Sequence, residues 1–159
     1  MANECTTTFL PVKRILCPTD FSEPACKAIK AAAEIAESQK AELILVHVVA
    51  PIPAIDSPSG APAFDLAGYQ DELVRSAQHA LEERRRRRVP ESVKSRAIVT
   101  IGDAAHEVTR IAAEEAIDLI VIATHGRTGW RERLFGSVAA KVVRLATCPV
   151  LTIPCAPGA

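Results

Sequence analysis

The segment DLIVIATHGRTGWRERLFGS, residues 118–137, contains the pattern that decides the fold. Its first part, Leu119–Ala123, is a continuous apolar run of strand length, typical of a strand that is covered on both faces. A loop over residues 124–135 follows, and Gly136 with Ser137 opens a helical segment. A strand, a loop and a helix in this order make one βα unit of a parallel sheet.

Short apolar runs alternate with longer helical segments along the rest of the chain as well. The spacing predicts strands over residues 12–17, 43–49, 92–101, 119–123 and 150–153. It predicts four helices, beginning after the caps Ser22 and Asp103, over residues 66–88 and over residues 137–146. The predicted fold class is α/β: an open five-stranded parallel sheet with helices on both faces, Rossmann-like, in a single domain with its core at about residues 12–154.

Composition excludes several functional classes. The 159 residues include 19 basic and 19 acidic side chains, so no overall charge favours nucleic acid or an anionic membrane as partner. The longest apolar runs have strand length, and residues 1–11 lack the pattern of a signal peptide, so we expect a cytoplasmic protein. The five cysteines are odd in number and have no CxxC spacing, which favours free thiols.

Two further features are open to interpretation. The arginine run at residues 84–88 follows Glu82 and Glu83 at a helix C-terminus, and we interpret it as a solvated helix end rather than a nucleic-acid site. Trp130 falls in a loop, where it could serve as a partner contact or as a lid residue. The sequence does not choose between these two roles.

Ligands of open parallel sheets bind beyond the carboxyl ends of the strands, where the strand order reverses. Two loops lie there: residues 18–22, which read PTDFS, and residues 124–136. Neither the GxGxxG turn nor the GxxxxGK[ST] loop is present in the sequence. A hydride-transfer enzyme and a P-loop ATPase are therefore disfavoured.

The loop 124–136 has the features of a phosphate site. Gly126 and Gly136 would let phosphate oxygens approach the backbone, and the start of the following helix offers free N–H groups. Arg127 adds positive charge nearby, together with two further arginines. Ser137 could donate its hydroxyl to a phosphate or cap the helix. An ordinary loop with turn glycines and a serine cap explains the spacing equally well.

Five segments carry a resemblance to a known family: PTDFSEP at 18–24, LVHV at 45–48, DLIVIATHGRTG at 118–129, GS at 136–137 and CPVL at 148–151. With them the chain resembles the universal stress protein family over about residues 12–154. The ATP-binding branch of that family carries G-x2-G-x9-G-[ST], and the matching positions here are Ala123, Gly126, Gly136 and Ser137. Three of the four match, and Ala123 replaces the first glycine.

The resemblance implies a site for ATP with magnesium. Asp20 would lie near the ribose or a magnesium ion, beside Pro18 and Thr19. The backbone of Val48 would face adenine, with Ile122 and Ala123 lining the base and sugar. The residues implied at the phosphates are Gly126, Gly136, Ser137 and Val138, with His125 and Arg127 in the same loop. We interpret His125 as fixing the loop rather than as a general base, because no nucleophile is adjacent.

The implied function is that of an ATP-binding universal stress protein acting as a nucleotide-dependent switch or sensor. Slow ATP hydrolysis or self-phosphorylation is compatible with it, although the sequence has no clear catalytic base. The resemblance also implies a homodimer that pairs through the edge strand 150–153. The alternative is a dimeric interaction module that does not bind nucleotide, which the replacement at Ala123 keeps open.

Overall fold

The computed structural model of the chain describes residues 9–53, 65–124 and 136–154. The strands are β1 Arg14–Pro18, β2 Glu42–Val49, β3 Ser95–Ile101, β4 Leu119–Ala123 and β5 Val150–Ile153. The helices are α1 Glu23–Gln39, α2 Leu66–Arg88, α3 Ala104–Glu114 and α4 Ser137–Leu145. Each described strand except β5 is followed along the chain by a helix.

All five strands are parallel and lie in the order β3-β2-β1-β4-β5. Leu16 of β1 pairs with Ile44 of β2 on one side and with Ile120 of β4 on the other. The strand order therefore reverses at β1, and the carboxyl ends of β1 and β4 flank the crevice in which such sheets bind ligands. The predicted α/β, Rossmann-like class with a parallel five-stranded sheet is confirmed.

Both faces of the sheet are buried, each under two helices. Successive residues of β1 show this: Ile15 packs in the cluster that includes Ile29 of α1, whereas Leu16 packs in the cluster that includes Val108 and Ile111 of α3. Helices α1 and α2 cover the first face, and α3 and α4 cover the second. The continuous apolar runs of the sequence follow from this double coverage.

Local signals set the ends of α1. Ser22 is the N-cap, and its hydroxyl accepts a hydrogen bond from the N–H of Ala25 at 3.3 Å. Pro24 lies in the first turn, where its missing N–H removes no helical bond. Lys40 ends the helix in the left-handed conformation, with φ of 55°. The sequence predicted the Ser22 cap correctly.

Two strands begin more than one residue away from the predicted position, β3 and β1. The third strand was predicted from residue 92 but begins at Ser95, because the N–H of Val93 donates to the carbonyl of Pro90 at 3.0 Å and closes a turn. The first strand was predicted over residues 12–17 but runs over Arg14–Pro18, so that Pro18 stands at its carboxyl end. The second difference places Pro18 directly at the carboxyl edge of the sheet.

Three of the five cysteines lie in the described residues, and all three are free thiols: Cys17, Cys26 and Cys148. Burial raises the pKa of Cys17 to about 12, so its thiol stays protonated and serves as an apolar core group. Cys5 and Cys155 lie outside the described residues.

In the described part of the chain, no helix has the length and apolar character needed to cross a membrane.

An ion-pair network ties the amino edge of the sheet to the end of α3. The guanidinium of Arg96 on β3 donates to Glu42 at 3.1 Å and to Glu115 at 2.5 Å. The hydrogen bond from Arg96 lowers the pKa of Glu115 below its ordinary value. For Glu42, partial burial raises the pKa, but hydrogen bonds from Lys94 and Arg96 outweigh it and the net shift is downward.

We expect this network to stabilise the fold only when its carboxylates are ionised. Because the pKa values are lower in the folded state, the contribution is complete above the ordinary glutamate pKa of about 4.3 and is lost as pH falls through the folded values. Arg96→Met should lower the free energy of unfolding by about 1 kcal/mol at pH 7 and by much less at pH 3. The expected effect is this small because the ion pairs are partly exposed to solvent.

Urea unfolding at the two pH values measures this difference. Lys94→Met is the matched control, since the Lys94 side chain is 78% exposed and its single ion pair with Glu42 should contribute less. A cost of Arg96→Met that stays the same at both pH values would contradict the electrostatic account.

Candidate functional site

A cavity of about 290 Å³ opens at the carboxyl edge of the sheet, where the strand order reverses. The ends of β1, β2 and β4 and the starts of α3 and α4 contribute to its walls. Nine residues that the sequence singled out for the site lie on these walls: Pro18, Thr19, Asp20, Val48, Ile122, Ala123, Gly136, Ser137 and Val138. The structure therefore brings together residues that are up to 120 positions apart in the sequence numbering.

Three further predicted site residues, His125, Gly126 and Arg127, lie outside the described residues, as does Trp130. Their ligand contacts stay predictions. The structure places the nine cavity residues together but shows no contact to a ligand. The ligand roles of these residues are therefore predictions as well.

Thr19 is a buried anchor of the loop between β1 and α1. Its N–H donates to the carbonyl of Val46 at 2.9 Å, and its hydroxyl oxygen accepts from the N–H of Phe21 at 3.1 Å. Its carbonyl lies 2.8 Å from Nδ1 of His47. Since a carbonyl can only accept, Nδ1 of His47 carries the proton. The loop is thereby attached to β2 at two points.

Asp20 stabilises the same loop through its own side chain. One carboxylate oxygen, Oδ1, accepts from the N–H of Ser22 at 3.0 Å and from its hydroxyl at 2.5 Å. Ser22 in turn caps α1. The family resemblance implies a place for Asp20 near the ribose or a magnesium ion. The structure gives it the loop-fixing contacts while the residue also lines the cavity.

Helix α4 starts at Ser137 as predicted, and its cap excludes one of the two roles considered for that residue. That residue is the first in the helix, and Gly136 is the N-cap, so the serine is not the cap. Because Gly136 has no side chain, it cannot accept from the N–H groups of the first turn, as Ser22, Asp65 and Asp103 do for the other three helices. The N–H of Gly136 donates to the backbone carbonyl of Thr124 at 2.6 Å. This bond attaches the start of α4 to the residue that follows β4.

Part of the cavity wall is apolar. Val48 comes from the end of β2, Ile122 and Ala123 from the end of β4, and Val108 from α3. Ala123 pairs with Ile153 of β5 and is 9% exposed, so its methyl group forms part of the wall. Branched apolar side chains from three elements suit the burial of an aromatic group.

Two polar residues of the cavity were missed by sequence reasoning, His47 and Thr124. A signal for His47 was available, since it is the one polar side chain in the apolar run of β2 and stands near the strand's carboxyl end. Thr124 directly follows β4 and is 6% exposed, a position that strand periodicity does not mark.

The arginine run at residues 84–88 is not uniformly a solvated helix end, as the sequence had suggested. Arg85, Arg86 and Arg87 pair with Glu82 or Glu83 within α2. Arg84 instead contacts Phe21 of the β1–α1 loop and Cys26 of α1. The solvated interpretation holds for the exposed side chains and is wrong for Arg84.

Metal binding by protein groups alone has no basis in the described residues, since no three histidine, cysteine, aspartate or glutamate side chains are grouped there. Asp20 is the one carboxylate on the described cavity wall. Magnesium commonly binds through one or two carboxylates together with ligand phosphates. The residues present therefore fit a metal that arrives with a phosphorylated ligand.

The family described as the universal stress protein family matches residues 11–154 of the chain. The chain belongs to the universal stress protein family. Universal stress protein YxiE of Bacillus subtilis is 31% identical over 144 residues, covering 88% of this chain and 97% of the relative. The family resemblance drawn from the sequence motifs is thereby confirmed, while its ATP-binding branch is not tested by this match.

Solved structures of universal stress proteins have the same architecture. Protein MJ0577 of Methanocaldococcus jannaschii superposes with a TM-score of 0.77 at 26% identity, covering 92% of this chain and 99% of that one. The universal stress protein from Archaeoglobus fulgidus in complex with dAMP superposes with a TM-score of 0.55 at 19% identity, over 90% of this chain and 98% of that one. At 19% identity, the likeness to the Archaeoglobus fulgidus protein shows a shared fold.

Proposed function

We propose that this universal stress protein binds ATP, accompanied by magnesium, in the cavity between the ends of β1 and β4, and acts as a nucleotide-dependent switch or sensor. The observation that carries the proposal is the position of the glycine-capped start of α4 on the same cavity as Asp20. A helix start without a side-chain acceptor is suited to an anion from outside the helix.

The proposed arrangement divides the cavity into two parts. The N–H groups at the start of α4, from Gly136 to Val138, would bind phosphate oxygens, with Gly126 and Arg127 added from the preceding loop. The apolar wall of Val48, Ile122 and Ala123 would cover the adenine. Asp20 would bind the ribose or the magnesium ion. The glycine-capped start of α4 suits phosphate, and the branched side chains of Val48 and Ile122 suit the base.

Magnitudes support binding in the micromolar range. A dissociation constant of 1 μM corresponds to about 8 kcal/mol. A favourable helix start contributes up to about 2 kcal/mol, and each charge-assisted hydrogen bond about 1.5–3 kcal/mol before ordering costs. Several donors together with burial of the adenine reach the required range. The single methyl group that Ala123 adds lies within the wall and leaves the cavity open.

The dAMP complex of the Archaeoglobus fulgidus protein supports an adenine nucleotide as the ligand class. At 19% identity it does not transfer individual contacts, so the choice of ATP depends on this chain's own residues. The sequence has no clear catalytic base, which favours a switch over a fast enzyme. Slow hydrolysis or self-phosphorylation would be compatible with a switch.

Isothermal titration calorimetry with ATP and magnesium tests the proposal. We expect saturable heat with a dissociation constant in the micromolar range, and native mass spectrometry of freshly purified protein should detect an adenine nucleotide. No heat at 1 mM ATP would contradict the proposal. If the protein were dimeric in that case, the alternative of an interaction module without nucleotide would be favoured.

The proposal includes a homodimer that pairs through β5. This strand is an edge of the sheet, and its Leu151 is 38% exposed. Val143 and Leu145 of the neighbouring helix α4 are 47% and 43% exposed and would extend the apolar surface beside it. Edge strands with apolar side chains are usually covered, and a second copy paired by two-fold symmetry would cover this one.

Leu151→Lys is expected to convert the dimer into a monomer, because it places a charge in the proposed interface. Light scattering at micromolar concentration should give about twice 17.0 kDa for the wild type and 17.0 kDa for the variant. Ile101→Lys is the matched control, since Ile101 is 43% exposed on β3, the opposite edge of the sheet. A monomeric wild type, or a dimer that survives Leu151→Lys, would contradict pairing through β5.

A further inference from the structure

Arg84, near the end of α2, contacts the loop between β1 and α1 from outside the cavity. Its Nη2 donates to the carbonyl of Phe21 at 3.3 Å, and its Nη1 donates to the thiol sulfur of Cys26. Its guanidinium carbon lies 5.7 Å from the centre of the Phe21 ring, within the range of a cation–π contact. The Arg84 side chain thus contacts both the backbone and the ring of Phe21.

The backbone of Phe21 needs such support. Its φ is 65°, in the left-handed region that bulky residues rarely adopt. The N–H of Phe21 donates to the hydroxyl of Thr19 at 3.1 Å, and its carbonyl is the group that Arg84 binds. Both backbone polar groups of Phe21 are therefore hydrogen-bonded. Thr19 of the same loop accepts from its N–H, and Arg84 of α2 donates to its carbonyl.

The ring of Phe21 connects this support to the cavity. It stacks against the imidazole of His47, with centroids 4.3 Å apart and planes tilted by 31°. His47 lines the cavity and binds the carbonyl of Thr19, which lines it too. A continuous series of contacts thus runs from Arg84 through Phe21 to His47 and Thr19.

From these contacts we infer that Arg84 is a positioning residue for the proposed nucleotide site. It fixes Phe21, and through it the orientation of His47 and of the loop that carries Thr19 and Asp20. This inference rests on the proposed function for its effect on ATP. It assigns a role to one member of an arginine run that has no other evident connection with the site.

The neighbouring arginine shows that the role is specific to Arg84. Arg85 donates to both carboxylate oxygens of Glu82 and to the hydroxyl of Ser95 on β3 at 3.0 Å. These contacts attach α2 to the sheet and do not include the β1–α1 loop. Arg85→Met is therefore a matched control, since it removes several hydrogen bonds from the same helix turn without touching Phe21.

Arg84→Met is expected to weaken ATP binding about tenfold in calorimetry. This is the size of effect expected from losing one charge-assisted hydrogen bond, here the bond from Arg84 to the carbonyl of Phe21. Long-range ¹H–¹⁵N spectra of His47 give a second readout. The wild type should show the single tautomer with the proton on Nδ1, and Arg84→Met should show a mixture of tautomers. Arg84→Lys, which keeps the charge but loses the planar fork, should give an intermediate affinity.

Arg85→Met should lower the melting temperature while leaving the affinity for ATP and the His47 tautomer at their wild-type values. The inference is overturned if Arg84→Met retains both wild-type readouts, or if Arg85→Met changes them as much. If the wild type does not bind ATP, the proposed function fails, and the His47 spectra alone still decide whether Arg84 orients the cavity wall.

Discussion

Gly136→Asp should weaken ATP binding by at least about 100-fold while slightly stabilising the folded protein. Gly136 caps α4 with φ of −65° and ψ of 156°, a backbone conformation that aspartate adopts without strain. The new carboxylate would accept from the N–H groups of the first turn, which the proposal assigns to phosphate, and would repel the phosphates at close range. Two unit charges 4 Å apart at an effective dielectric of 20 interact by about 4 kcal/mol, so a loss of at least about 100-fold is expected.

Gly136→Asn separates the two causes of that loss. Asparagine caps a helix about as well as aspartate and has nearly the same shape, but it carries no charge. It should weaken ATP binding by about tenfold, because the N–H groups are occupied without repulsion. Both variants should gain a few tenths of a kcal/mol in the free energy of unfolding. An affinity within threefold of wild type for Gly136→Asp would contradict the phosphate position.

Leu81→Ala should be among the most destabilising substitutions outside the sheet. Helix α2 buries only Ala77 and Leu81 among its residues, and the Leu81 side chain is completely buried in the cluster under α1. Truncation leaves a cavity that neighbouring fixed strands cannot fill, at a cost of about 3 kcal/mol. For a chain of this length the melting temperature should fall by about 6–12 °C.

Leu73→Ala, in the same helix, is the control for side-chain size, since Leu73 is only half-buried and should cost about 1 kcal/mol. ATP affinity at low temperature should be unchanged in Leu81→Ala, because the residue does not line the cavity. A cost below about 1 kcal/mol for Leu81→Ala would mean that α2 is held mainly by its polar contacts, including those of Arg84 and Arg85.

The fold class could be predicted because its signals are local. Leu119–Ala123 is a continuous apolar run since both faces of β4 are covered, and the caps Ser22 and Asp103 accept from N–H groups three residues away. The start of the third strand could not be predicted as well. Its first predicted residues alternate weakly, and whether they extend a strand or close a turn depends on the single bond from Val93 to Pro90.

The candidate site was predictable where it depends on backbone position. Asp20 follows β1 and Gly136 precedes α4, and the topology of a parallel sheet brings such positions to one edge, whereas Val48 was assigned to the site through the family resemblance. The role of Arg84 could not be predicted in this way, because its partners Phe21 and Cys26 are 63 and 58 residues away along the chain. In the sequence it is one of five consecutive arginines, with nothing to distinguish it.

A methyl-selective NMR titration with ATP and magnesium tests most directly whether the nucleotide occupies this cavity. We predict saturable shifts of the methyl signals of Val48, Ile122 and Val138, which line the cavity, with Leu81 and Leu145 unchanged. Unchanged cavity signals at millimolar ATP, or saturable shifts confined to methyl groups away from the cavity, would contradict the account.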